Sequence, residues 1–195
     1  MNYLAHIYLS GNNTELMIGN FIADAVKGKA IENYSIEIQN GIKLHHSIDS
    51  YTDTHEIVKK SKKRLWAKYR HFSSVIVDIF YDHFLAKNWN SYHSMELEMF
   101  TNSTYNTFSE KLDIFPDKMQ FFFTHMVENN WLYNYQFIEG IETVMGGMAR
   151  RTNFDSGMEH STEELIKYYE EFEHEFESFF PLLKQFTDSK IAVLL

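Results

Sequence analysis

Turn-forming residues are scarce in this chain: 2 Pro and 8 Gly are spread over 195 residues. A sandwich or barrel of short strands needs a turn signal roughly every 8–12 residues. Long uninterrupted segments point instead to helices packed on helices. The apolar spacing agrees. In "TELMIGNFIADAVKG" (14–28), Leu16, Met17, Phe21 and Ile22 recur at helical intervals, with Thr14 as N-cap and Gly28 as stop. The same period predicts helices over 36–53, about 55–69, about 74–89 and 94–110. Pro116 and Asp117 open another, running to about 131; one more covers 134–147, and Thr162 starts a long helix ending at Pro181. "VIVDIF" alone could be a strand, because β-branched residues cluster there, but "YDHFLAKNW" extends the helical period. The expectation is one all-α domain over 1–195, a helical bundle.

Composition narrows the function classes. The chain is 44% hydrophobic and 23% charged, as in ordinary globular proteins. It has no Cys, which excludes disulfides, thiolate nucleophiles and Cys-ligated zinc and fits a reducing cytoplasm. No run reaches the roughly 20 apolar residues of a membrane span, and "MNYLAHIYLS" lacks a basic n-region. A net charge of −9 argues against general nucleic-acid binding. The charge is uneven: residues 59–70 hold 7 of the 18 Lys and Arg, whereas 159–177 hold 8 Glu against one Lys. The basic segment could meet an acidic partner although the whole chain is acidic.

The strongest chemical signal lies on helices that should be buried. "VIVDIFYDHFL" (75–85) places Asp78 and Asp82 at i and i+4, one face of a helix, with His83 following. Asn20 and Asp24 form a second such pair, His45 and Asp49 a third, and His6 sits inside the apolar run "LAHIYL". An unpaired buried carboxylate costs several kcal/mol, and few cations lie near these positions in the sequence. Carboxylates and imidazoles on facing helices can converge on a divalent metal. Mixed Asp/His ligation suits Mn, Fe, Zn or Mg. The competing reading is a set of satisfied core groups and solvated helix edges.

"MNYLAHIYLS", "GNFIAD", "GIKLHHSID", "VDIFYDHFL" and "GMARR" follow, in order and spacing, the pattern of the bacterial acyl carrier protein phosphodiesterase family. The resemblance runs from Met1 to about residue 180 and matches at His6, Gly19, Asn20, Asp24, His45, Asp49, Asp78, Asp82, His83 and Arg151. It implies a divergent form of the metal-dependent His-Asp (HD) phosphohydrolase bundle, with manganese as the favoured metal. The chain itself has no His-Asp dipeptide, since three residues separate His45 from Asp49. The implied reaction removes 4′-phosphopantetheine from the serine of holo acyl carrier protein and leaves the apo form.

On this resemblance Asp24, His45 and Asp82, with His6 next, are expected to hold the metal, which would activate water. Asp78 or Asp49 would add a ligand or orient a histidine. His83 is the expected proton donor to the leaving serine oxygen. Arg150 and Arg151, after a Gly-Gly-Met-Ala stretch, would grip the phosphate, or else complement a helix C-terminus. Lys59, Lys60, Lys62, Lys63 and Arg64 would dock the acidic carrier protein, unless they form a plain solvated face. Two other readings stay open: a phosphohydrolase of the same scaffold acting on a nucleotide or small phosphate ester, and a helical binding module without metal.

Overall fold

The helix at 75–85 is apolar nearly all round, so it can be stable only when covered on every side. In the computed structural model, which describes all 195 residues, it is the central helix α5 (Ser73–Lys87), with Ile76, Val77, Ile79 through Leu85 and Ala86 all buried. The other helices pack around it: α1 (Tyr3–Leu9), α2 (Thr14–Ile22), α3 (Ile36–Thr54), α4 (Glu56–Tyr69), α6 (Leu97–Ser109), α7 (Asp117–Glu128), α8 (Trp131–Asn134), α9 (Ile138–Ala149), α10 (Ser161–Lys167) and α11 (Tyr169–Leu194). Short 3-10 turns join several of them, and there is no β-strand. Forty-five buried apolar side chains, from Met1 to Leu183, form one continuous core. The all-α expectation holds. No helix is long and apolar enough to cross a membrane.

Helix ends differ from the sequence reading in ways that matter for the site. α2 stops at Ile22 rather than Gly28, and a 3-10 turn at Ala23–Ala25 carries Asp24 away from the helix axis. Its N-cap is Asn13, not Thr14; Asn13 Oδ1 accepts from the Leu16 N–H at 2.9 Å. A break at Asn130 (φ 46°) separates α7 from α8, where one helix to about 131 was expected. The long C-terminal helix is split at Tyr168 and then runs through Pro181. A Pro in a helix interior costs about 3 kcal/mol. Here Phe176, Phe179, Phe180 and Leu183 bury their side chains on either side of it, which outweighs the lost hydrogen bond. Within the first ten residues, where only an apolar run was expected, Tyr3–Leu9 form α1.

The closest helix pair is α2 against α3. A Cβ on Gly19 would lie 2.1 Å from the Ile38 carbonyl oxygen, and one on Gly41 would lie 2.3 Å from that of Leu16. Only glycine permits this approach. Its consequence is that Asn20, next to Gly19, reaches His45 one turn beyond Gly41.

Candidate active site

Helix α1 brings His6, α2 brings Asn20, and α3 brings His45 and Asp49. Asn20 is fully buried and organises both imidazoles. Its amide nitrogen donates to the His6 carbonyl and to Ser10 Oγ, each at 2.9 Å. Its Oδ1 must therefore be the acceptor for His6 Nδ1 at 2.7 Å and His45 Nδ1 at 3.2 Å. The Asn20 backbone carbonyl also accepts from His45 Nδ1 at 2.9 Å. Both rings are thus fixed with the proton on Nδ1 and the Nε2 lone pair turned the other way. The rings stack with centroids 4.2 Å apart.

Both Nε2 atoms meet carboxylate oxygens. His6 Nε2 lies 3.1 Å from Asp49 Oδ1 and 3.2 Å from the Met1 carbonyl oxygen. His45 Nε2 lies 3.0 Å from Asp49 Oδ2 and 3.4 Å from Asp24 Oδ1. It is buried, yet makes no well-directed hydrogen bond. Acceptor atoms converging at such distances need a proton or a cation between them. The ligand atoms of His6, His45 and Asp49 all lie within 4.8 Å of one another, so this group could hold a metal ion. Two imidazole nitrogens with carboxylate oxygens fit a divalent metal.

The electrostatics point the same way. Burial lowers the pKa of His6, and the neighbouring His45 lowers it further. For His45, burial is overcome by Asp24 and Asp49, and its pKa is pushed up to about 9. The His45 contact holds Asp24 below the usual carboxylate range, and Asp49 is lowered despite its burial by His45 and His6. A proton occupies this cluster when no metal does, so metal and proton compete for it.

The expected site residues do not all gather here. Asp82 lies one layer below. Its fully buried carboxylate accepts the backbone N–H groups of Asn2 at 3.0 Å, Leu4 at 2.8 Å and Ala5 at 3.3 Å, and so anchors the start of α1, the helix that carries His6. Asp78 Oδ1 accepts from the amino group of Met1 at 2.8 Å. His83 points to the far side of α5: its Nδ1 meets the Tyr135 carbonyl oxygen at 2.8 Å and its Nε2 the Tyr169 hydroxyl at 2.7 Å. Neither Asp82 nor His83 lines the cleft described next. Tyr3 is the contributor that sequence reasoning passed over, whereas Asn20 was singled out as the partner of Asp24 but given no role. The usable signal for Asn20 was a polar residue in a buried helix stretch, beside the glycine that permits close packing.

The His–Asp group opens into a cleft of about 430 Å³, whose opposite wall is formed by α7, α8 and α9. Arg150 and Arg151 line the same cleft, at the end of α9. Neither is paired with a carboxylate; Arg151 only stands over the Phe122 ring, at 5.7 Å. Tyr3 also lines the cleft, and its hydroxyl has no hydrogen-bond partner in the protein. Burial raises the Tyr3 pKa, as does Asp24, while Arg151 opposes them. A cluster able to hold a cation, together with two guanidinium groups that have no carboxylate partner, suits an anionic oxygen-rich group such as a phosphate ester.

The basic segment lies on α4, which contributes nothing to the cleft wall. Most of its charges have partners: Lys59 with Glu56, Lys60 with Glu175, Lys62 with Asp53, and Lys68 with Glu163 and Glu164. Arg64 grips Glu175 with two bonds, at 2.6 and 2.7 Å. Lys63 is exposed and has no ion pair.

Comparison with known proteins identifies the group to which this arrangement belongs. No solved structure matches the chain. Acyl carrier protein phosphodiesterase of Photorhabdus laumondii subsp. laumondii is 30% identical over 191 residues, covering 97% of this chain and 96% of that protein. The protein of the same name from Yersinia enterocolitica is 30% identical, covering 98% of this chain and 100% of its own length. The family model described as acyl carrier protein phosphodiesterase matches residues 1–183. The chain belongs to the acyl carrier protein phosphodiesterase family.

Proposed function

We propose that this chain is a divalent-metal-dependent hydrolase that removes 4′-phosphopantetheine from the serine of holo acyl carrier protein. The observation that carries this is the meeting, in one cleft, of the His6–His45–Asp49 group with the unpaired Arg150 and Arg151. Family membership supplies the substrate. The kinship with His-Asp phosphohydrolases rests on the sequence resemblance.

The proposed metal is manganese, which His6 Nε2, His45 Nε2 and Asp49 would hold, with Asp24, on the exposed rim, as a fourth ligand. Magnesium, iron and zinc suit the same donors. When bound, the metal supplies Lewis acidity and lowers the pKa of water. Asn20 engages Nδ1 of both imidazoles and so leaves their Nε2 atoms as the ones that would bind a metal. Asp82 sets the position of α1 and thereby of His6. Arg150 and Arg151 bind the non-bridging phosphate oxygens. In the reaction water adds to phosphorus and the bond from phosphorus to the serine oxygen breaks. The leaving oxygen must gain a proton. The Tyr3 hydroxyl takes that role in place of His83, whose two ring nitrogens are already engaged.

The test is to incubate holo acyl carrier protein with the enzyme and manganese and to weigh the carrier. A mass loss equal to 4′-phosphopantetheine is expected, and it should disappear with chelator. An unchanged carrier beside active hydrolysis of nucleotides or simple phosphate esters would overturn the reading in favour of a small-molecule phosphohydrolase. Absence of bound metal and of any hydrolysis would favour a binding module.

A further inference from the structure

The active-site cleft does not end at Trp131. A second cavity of about 410 Å³ lies between α8 and the start of α9, and it shares Asn129, Trp131, Thr143 and Val144 with the cleft. The two are therefore one bent groove, with the half-buried Trp131 at the bend, its ring packed on Phe122 at 5.3 Å. The two ends differ in chemistry. Both arginines and the His–Asp group belong to the first end. No basic residue lines the second, where Glu139 has no ion pair.

The polar groups of the second lobe are amides and a hydroxyl, beside one carboxylate. Asn134 donates its amide N–H to the Asn129 carbonyl oxygen at 2.9 Å, Asn129 donates to that of His125 at 2.8 Å, and Thr143 donates to that of Glu139 at 2.9 Å. The amide oxygens of Asn129 and Asn134 and the Glu139 carboxylate have no side-chain donor. A lobe lined by amides and a carboxylate, with no basic side chain, is a poorer place for a phosphate than the arginine end and suits a neutral chain that carries amide and hydroxyl groups. Apolar contact comes from Trp131, Val144 and Phe137.

We infer that this lobe is a binding subsite for the uncharged, amide-linked arm of the substrate, which extends from the phosphate held by Arg150 and Arg151. The inference rests on the proposed function, where that arm is the pantetheine chain with its amide N–H, hydroxyl and aliphatic groups. The groove then reads both ends of the prosthetic group: charge at the metal end, hydrogen-bond donors and apolar bulk at the other. A nucleotide, with a second set of charges or a rigid base at this distance, matches the lobe poorly.

The test uses the manganese-loaded enzyme and two phosphate-separated probes, pantetheine and inorganic phosphate, each titrated by calorimetry. Thr143 is exposed on α9 where the two ends meet, so Thr143→Trp can close the passage into the second lobe without disturbing the core, and its phosphate affinity should stay that of wild type. Its expected effect is at least a roughly tenfold loss of pantetheine affinity. Arg151→Ala should show the reverse pattern, losing phosphate and keeping pantetheine. The inference is overturned if wild-type enzyme does not bind pantetheine, or if Thr143→Trp binds it as well as wild type does. Pantetheine binding that is lost in Thr143→Trp, beside a failure to cleave holo carrier protein, would support the subsite and instead sink the proposed reaction.

Discussion

Arg64 and Arg151 carry the same guanidinium group in opposite surroundings. Arg64 makes two short bonds to Glu175, a buried carboxylate on α11, and stands 4.8 Å over the Phe172 ring. Ser61 and Lys60 complete the set around Glu175. Every charge in that seam has its partner inside the molecule, and the seam ties α4 to α11. Arg151 has no carboxylate partner and lines a cleft with two imidazole lone pairs aimed into it. Density of charge along the chain singled out the first region. Incompleteness of its partners singles out the second. A closed network holds the fold; an open one is left for something that binds.

The sharpest way to break this comparison is to remove metal ligands. His45→Ala and Asp49→Ala should each lower hydrolysis of holo carrier protein by roughly a thousandfold, equivalent to about 4 kcal/mol of transition-state stabilisation. Bound manganese, measured by elemental analysis, should fall with it, while circular dichroism stays helical. Near-normal turnover in both variants would place the reaction elsewhere. The closed region should respond in the other currency. Arg64→Ala leaves Glu175 short of its main partner and should cost roughly 3 kcal/mol of stability, read as a lower denaturation midpoint. Its turnover per folded molecule should remain that of wild type. A large fall in turnover with unchanged stability would make the seam part of the active site.

Smaller effects sharpen the same contrast. Asn20→Ala removes the acceptor that sets both imidazoles and should weaken manganese binding about 10–100-fold. Equal affinity would mean that the rings are held by packing alone. Asp82 offers a pH test. Burial pushes its carboxyl up to about 7, although the positive charge at Met1 and the N–H groups of α1 pull it down. A carboxyl with a raised folded pKa is protonated in the fold over a range where the unfolded chain is ionised. Its contribution to stability therefore falls as pH rises from about 4 to about 7. Asp82→Asn should flatten that part of the stability profile, and an unchanged slope would refute the assignment. The least effect is expected from Lys59 and Lys63 together. Their reversal to Glu should raise KM for the acidic carrier a few-fold and weaken its salt dependence, with kcat unchanged. No change at all would leave α4 as a solvated, self-paired face.

Much of this protein is readable along the chain. Scarce Gly and Pro with a sustained helical period determine an all-α fold, because local hydrogen bonding and one-sided burial are properties of short segments. The pairing of His45 with Asp49 is equally local, since i and i+4 share a helix face wherever the helix goes. The chain could also show that His6 and Asp82 were costly to bury and so needed partners. Which partners they have is a tertiary matter. Asp78 and Asp82 share a face just as His45 and Asp49 do, but that face of α5 meets the start of α1, where backbone N–H groups await a carboxylate. His83 follows Asp82 in sequence and points the opposite way, toward Tyr169. Asn20 becomes the hinge of the site only because two glycines let α2 and α3 nearly touch. The basic run on α4 and the acidic run over 159–177 are each visible in the sequence; that they meet at Glu163, Glu164 and Glu175, while Arg150 and Arg151 line the cleft of the histidines without carboxylate partners, follows from how the helices pack. Spacing decides which side chains travel together on one helix, and packing between distant helices decides which charges are satisfied and which are left to act.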